Sequence, residues 1–306
     1  MVAGDTLWDI AVRHGVTVEA LQAANPQIGD RSLIYPGDRI AISPIHLGTL
    51  GGTNSSARDV NDWGQVVGWA NTASGYLAHA FLWQDGTMTD LGTLAGANTI
   101  VTGLNERGQV VGYGETASGQ RAFLWQDGVM ADLRTLGGTA SQAFGINDRG
   151  QVVGQSSTTS GLRHAFLWQD GVMTDLGTLG GAESQASGIN DRGQVVGLAD
   201  DPSGGYSHAF VLQGGAMTDL GKLGGTTSLA YAVNDRGQVV GWASTASEPS
   251  DEARAYLWQD GMTTDLGALG GAWTQAYAIN ECGQVVGSSG AAPYDDHAIL
   301  WATGMQ

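Results

Sequence analysis

The chain has 306 residues, 42% of them hydrophobic, which is enough for a packed core and too apolar for a disordered chain. Its 13 Lys and Arg against 30 Asp and Glu leave a formal charge of -17, a field that repels nucleic acid and anionic membrane surfaces. No apolar run approaches the ~20 residues that span a bilayer, no basic segment followed by an apolar stretch marks a secretion signal, and the single cysteine, Cys282, can make no internal disulfide.

Val2-Ala3 reads as a short strand. Thr6 caps a predicted helix whose apolar positions Leu7, Ile10 and Ala11 fall at helical spacing, with Gly15 as its stop. Thr17 caps a second helix carrying Val18, Leu21 and Ala24, which Asn25-Pro26 ends. After a turn at Pro36-Gly37-Asp38, Arg39-Ile40-Ala41-Ile42 alternates like a strand. The order strand, helix, helix, strand sets off residues 1–44 as a small module.

Gly4-Asp5-Thr6-Leu7-Trp8-Asp9-Ile10-Ala11, Ala24-Asn25-Pro26-Gln27-Ile28 and Ile34-Tyr35-Pro36-Gly37-Asp38 together make this module resemble a LysM domain. The resemblance implies a shallow groove for N-acetylglucosamine polymers such as peptidoglycan or chitin, with Gly4, Asp5, Thr6 and Leu7 facing Asn25, Pro26, Gln27 and Ile28. Backbone amides and small polar groups suit hydroxyls and acetamides, and Leu7, Pro26 and Ile28 suit the acetyl methyl. On their own, Thr6 and Asn25 also read as helix caps and Leu7 and Ile28 as core.

Residues 45–306 are filled by six near-copies of one unit. Its signature is cleanest at Ile146-Asn147-Asp148-Arg149-Gly150-Gln151-Val152-Val153-Gly154, and variants start at Val60, Leu104, Ile189, Val233 and Ile279, about every 42 to 46 residues. That period belongs to propeller-type repeats. Each unit offers four short strand signals, in the third copy Ser141-Ile146, Gln151-Gln155, His164-Trp168 and Met173-Leu179. Asn147-Asp148-Arg149-Gly150 reads as one hairpin and Asp170-Gly171 as another, because Asp-Gly adopts positive φ readily.

Six four-stranded sheets in a circle would make a mainly β fold, a six-bladed β-propeller that leaves only short edges. His46-Leu47-Gly48-Thr49-Leu50-Gly51-Gly52 reads as a fourth strand and His297-Ala298-Ile299-Leu300-Trp301 as a third. The N-terminal strand is therefore expected to complete the last blade. An open solenoid is the structural rival. His164-Ala165-Phe166-Leu167-Trp168 and the signature resemble the HAF repeat of predicted extracellular bacterial proteins, a resemblance that implies no particular activity.

His79, His164, His208 and His297 occupy one slot of the unit, but Arg121 and Arg254 fill it in the other two copies, and a guanidinium is not a metal ligand. In the Asp170-Gly171 register His164 lies diagonal to Asp175, so a basic side chain bonded to that carboxylate accounts for His and Arg alike. Trp83, Trp125, Trp168, Trp258 and Trp301 recur beside Phe81, Phe123, Phe166, Tyr256 and Ile299 on the third strand, as core aromatics do. Trp69 and Trp242 are not repeated across all units and read either as core residues or, where they reach the surface, as candidates for stacking on sugars.

The loops between second and third strands vary most and carry the acidic pairs Asp200-Asp201, Asp251-Glu252 and Asp295-Asp296. Paired carboxylates are what polysaccharide hydrolysis requires, yet a solvated rim explains them too, and no nucleophile elbow is present. The expected function is accordingly a non-enzymatic, cell-wall-associated or extracellular binding protein. The LysM-like module would anchor it, and the propeller would present a face to a glycan or protein partner. No metal, cofactor, nucleic acid or membrane insertion is expected; a polysaccharide-active enzyme and a protein-interaction scaffold are the alternatives.

Overall fold

The structure, a computed structural model, describes residues 6–13, 18–25, 40, 45–75, 77–96, 98–204, 206–245, 252–292 and 295–302. Leu7–Arg13 and Val18–Ala24 are the two expected helices. The Thr6 N–H and hydroxyl donate to the Asp9 carboxylate at 2.8 and 2.6 Å, and the Asp9 N–H donates to the Thr6 hydroxyl oxygen at 3.2 Å, a reciprocal N-terminal cap. Leu7, Ile10, Ala11 and Leu21 bury a small core that Val18 and Ile40 flank. The Thr17 cap and the strands expected at Val2-Ala3 and Arg39-Ile42 lie outside the described residues, Ile40 excepted.

From Gly51 to Ala302 the chain folds into six antiparallel sheets, each a meander whose strands follow chain order. They span residues 51–92, 99–132, 137–175, 184–219, 224–265 and 274–302; five have four strands, and the sixth has three among the described residues. In the third sheet the strands are Gly137–Ile146, Val152–Thr158, Arg163–Gln169 and Val172–Asp175. Its last hairpin turns on Asp170 at φ 51° and Gly171 at φ 85°, the left-handed pair expected from Asp-Gly. Gly154 of the signature faces a bulge in the first strand, where a Cβ would run into the Gln142 carbonyl oxygen; Gly112, Gly197, Gly241 and Gly287 meet the same obstacle.

Two expectations about the strands need correction. The fourth strand ends at Asp175 rather than Leu179, because the Asp175 carboxylate accepts the Gly177 N–H at 2.8 Å and Gly177 turns to φ +73°. The Thr-Leu-Gly-Gly that follows is a turn leading into the next sheet: Thr178 Oγ1 donates to the Gly181 carbonyl at 2.9 Å and accepts from the Gly180 N–H at 3.1 Å. Thr49 makes the same pair of bonds with Gly52 and Gly51 at 2.9 and 3.3 Å. His46–Gly52 therefore leads into the first sheet, and among the described residues it does not close the last blade as a fourth strand, Asp295–Ala302 pairing there with Gln284–Ala292 alone.

Successive sheets pack face to face. Val153 and Ala165 of the third sheet meet Ala186, Val195, Ala199, Phe210 and Leu212 of the fourth in one buried cluster, with Leu176 and Leu179 of the connection sealing it. Phe123, Phe166 and Tyr256 sit in the equivalent clusters of other interfaces, as the recurrence of aromatics predicts. Each such side chain, fully withdrawn from water, contributes about 1.5–3 kcal/mol.

Candidate functional site

Three of the eight expected groove residues are described, and each has a structural task. Thr6 caps its helix, Leu7 is 4% exposed in the helical core, and Asn25 is buried with its Nδ2 donating to the Leu21 carbonyl at 2.7 Å, closing the second helix. Gly4, Asp5, Pro26, Gln27 and Ile28 lie outside the described residues. Beside Thr6, Trp8 stands 64% exposed on the outer side of its helix, where sequence reading assigned it only to the family motif.

On the sheets, the shared His/Arg slot faces the strand-ending aspartate. His79, His164 and His208 place Nδ1 at 2.9, 2.9 and 2.7 Å from Asp90, Asp175 and Asp219, and Arg121 reaches Asp132 at 3.9 Å. Arg254 turns instead to Glu252 at 2.9 Å. Each of these aspartates also accepts a backbone N–H two residues on, so the carboxylate ties the end of the fourth strand to the third.

The signature turns hold a second constellation. Asn147 Oδ1 accepts the N–H groups of Arg149 and Gln151 at 3.1 and 3.0 Å, while its Nδ2 donates to Gln151 Oε1 at 2.8 Å and to the Asn190 carbonyl of the next sheet at 2.9 Å. Repeated from Asn61 through Asn105, Asn147, Asn190 and Asn234 to Asn280, these inter-sheet bonds of 2.8–3.1 Å form one continuous belt. A parallel belt runs beside it: the N–H of Asp62, Glu106, Asp148, Asp191 and Asp235 each donates to the carboxylate of the next unit's acidic residue, ending at Glu281, at 2.8–3.1 Å. Sequence reading took these turns for local chemistry. The acidic residue after every asparagine, which a turn alone does not require, was the signal it passed over.

The turns of the second to sixth sheets line one cavity of about 240 Å³, whose wall includes Asn105, Asn147, Asn190, Asp191, Asp235 and Glu281. Five consecutive sheets thus curl around a common axis. Each wall carboxylate is engaged by a backbone N–H, and among the described residues no group of His, Cys, Asp and Glu is arranged to hold a metal ion. Behind the first turn, Asp59 accepts the Leu104 N–H at 3.0 Å, and burial pushes its carboxyl above the usual range.

On the variable loops, Asp200 accepts the Ser207 hydroxyl at 2.7 Å, and Asp201 is held below its ordinary pKa by Ser203, whose hydroxyl and N–H both donate to it. Asp251 lies outside the described residues and Asp296 is exposed. Trp69 is 36% exposed, whereas Trp242 is half-buried; the Tyr231 and Tyr277 rings meet edge to face with centroids 5.6 Å apart.

Residues 2–43 match the LysM domain family, so a LysM domain stands at the N-terminus. Over 42 residues the chain is 48% identical to a chlorophenol reductase of Desulfitobacterium hafniense, covering 14% of this chain and spanning only 13% of that relative's length. The β-propeller domain of the trilobed protease from Pyrococcus furiosus, described as having an open velcro topology, superposes with a TM-score of 0.57 at 12% identity over 82% of each chain. Dipeptidyl peptidase 4 of Porphyromonas gingivalis gives 0.45 at 10% identity, over 80% of this chain and 50% of that one. The sheets therefore have the propeller fold. The expectation that the chain is not an enzyme is overturned here, since a propeller of the same architecture is a domain of a protease and the fold gives no ground for excluding catalysis.

Proposed function

We propose that this chain is a glycan-binding protein of the cell envelope or extracellular space, with a LysM module over residues 1–44 and a six-bladed propeller of HAF-type repeats over residues 45–306. LysM domains generally bind N-acetylglucosamine glycans such as peptidoglycan or chitin, and the match of residues 2–43 to that family carries the reading. Gly4, Asp5, Thr6 and Leu7 on one side and Asn25, Pro26, Gln27 and Ile28 on the other hold the polymer. Because the Thr6 hydroxyl is engaged by Asp9 and the Asn25 amide by Leu21, recognition falls mainly to backbone N–H and C=O groups of those two loops, which suits an uncharged sugar chain. The propeller's variable loops present the second face, to a glycan or a protein, and two weak sites on one wall reinforce each other through effective concentration.

Co-sedimentation with insoluble peptidoglycan and with chitin tests this. The full chain is expected in the pellet with at least one polymer, and residues 44–306 alone in the supernatant. A full chain that stays soluble with both polymers rejects the glycan reading. If the shorter chain also pellets, the propeller contributes a glycan site of its own.

A further inference from the structure

Every interface between neighbouring sheets is built from the same two halves, and one copy of each half is left over. The forward half consists of the second signature valine, the alanine of the third strand and the leucine two residues beyond it, replaced by Val211 in the fourth sheet; in the third sheet these are Val153, Ala165 and Leu167. In the sixth sheet they are Val286, Ala298 and Leu300, and here Val286 is 47% and Leu300 59% exposed, where Val153 is fully buried. The receiving half is left over on the first sheet. Ser55, Ala57 and Val60 are exposed there, whereas Ser141 and Ala143 in the third sheet are buried.

The polar bonds of the interface show the same surplus. At three interfaces a first-strand serine accepts an alanine N–H from the preceding sheet: Ser141 from Ala122, Ser184 from Ala165 and Ser228 from Ala209, at 2.8–3.0 Å. Ser55 receives no such bond among the described residues, although it donates to the Gly48 carbonyl at 2.7 Å just as Ser228 donates to the Gly221 carbonyl at 2.8 Å. Among the described residues the asparagine belt begins at Asn61 with a carbonyl that accepts nothing from a preceding asparagine and ends at Asn280 with an amide that reaches no following sheet. Leu47 and Leu50 already lie on Ala70, Phe81 and Trp83, in the places Leu176 and Leu179 take on the fourth sheet. Among the described residues no strand of the sixth sheet packs substantially on the first.

We propose that the sixth sheet docks on the first within the same chain, through a sixth copy of this interface and without a shared strand. Asn280 Nδ2 then donates to the Asn61 carbonyl, the Glu281 N–H to the Asp62 carboxylate, and the Ala298 N–H to Ser55 Oγ, while Val286 and Leu300 cover Ala57 and Val60. The axial cavity selects the occupant. Turns from the second and the sixth sheets line the same space of about 240 Å³, and the first sheet is bonded to the second at that rim. The sixth sheet is therefore already brought round beside the first, and a second copy would compete against a much higher effective concentration.

Paired cysteines test the contact in the full chain, on a Cys282→Arg background that removes the native thiol and installs the residue four sister units carry. S55C with A298C reads the proposed interface, and A122C with S141C reads an internal one as the standard. Expected is an intrachain disulfide with a yield within about twofold of that standard, on a protein that remains monomeric. Disulfide-linked dimers or ladders would assign the two faces to a second copy and overturn the proposal. A cross-link formed at the internal pair but not at Ser55 and Ala298 would overturn it too. An independent reading comes from Leu300→Asp, which buries a charge only if the ring closes; its melting temperature should fall by roughly 5–10 °C, as for Leu167→Asp. An unchanged melting temperature refutes closure. Neither reading depends on glycan binding.

Discussion

Replacing Asn147 by alanine removes four hydrogen bonds at once: two accepted by its Oδ1 from the N–H groups of Arg149 and Gln151, one donated to Gln151 Oε1 and one to the Asn190 carbonyl in the next sheet. Asn147 is 4% exposed, so water compensates poorly for the lost partners. At about 0.5–1.5 kcal/mol net for each bond, with the released backbone groups partly rehydrated in the opened turn, the loss comes to roughly 3 kcal/mol. Asn147→Asp separates the contributions, because it keeps the oxygen that accepts the two N–H groups and replaces the amide that donates to Gln151 and Asn190. It also sets a negative oxygen against the Asn190 carbonyl, so roughly 2 kcal/mol of loss is expected at neutral pH. Urea denaturation followed by tryptophan fluorescence and by circular dichroism measures both variants. A loss below about 0.5 kcal/mol for Asn147→Ala, at unchanged m-value, would show that the belt only accompanies the packing and does not stabilise it.

Thr274 is fully buried with an Oγ1 that has no partner among the described residues, where Ser184 and Ser228 both donate and accept. Thr274→Ser is expected to gain about 0.5–1 kcal/mol, the recovered bonds outweighing one lost methyl, and a lower urea midpoint would contradict this. Gly154→Ala is expected to lose at least ~3 kcal/mol or to prevent folding, since the obstacle is the Gln142 carbonyl oxygen of the backbone; near-native stability on thermal unfolding would remove the steric account of the signature glycine. Asp59 has its carboxyl raised above 3.8 by burial, so the folded state holds that proton more tightly than the unfolded state. Its contribution is present below the unfolded pKa and is lost as pH rises through the folded value. The stability of Asp59→Asn relative to the parent should therefore rise between about pH 4 and pH 7, and a flat or falling difference in urea midpoints across that range would refute the sign.

Much of this architecture is legible in one sequence because the unit is repeated. The recurrence of Phe and Trp at third-strand spacing marks the inter-sheet core, and Asp170-Gly171 marks a hairpin whose φ angles are as expected. The diagonal from His164 to Asp175 follows from that turn and is present at 2.9 Å. The boundaries were less legible. Met173–Leu179 alternates like a strand, but side-chain oxygens of Asp175 and Thr178 bond backbone N–H groups and bend the chain two residues after Asp175. That one misreading carried over to His46–Gly52, which has the same bonds. The inter-sheet belts join residues 42 to 46 positions apart, a separation no local pattern reports; only the asparagine and the acidic residue returning together hinted at them. In the LysM module Thr6, Leu7 and Asn25 of the expected groove carry capping or core packing, tasks their residue types also predict, so residue type alone did not separate those roles from glycan binding.

The belt of asparagines has a direction. Along it each unit donates forward and accepts from behind, so the bonds of the belt are made through one donating edge and one accepting edge of the same design. A unit is therefore a tile, and duplication or loss of a whole tile leaves every remaining seam matched, whereas an insertion that breaks the tile leaves an amide or a carbonyl without its mate. Chains of this kind can change length in evolution by whole repeats while keeping the chemistry of every joint.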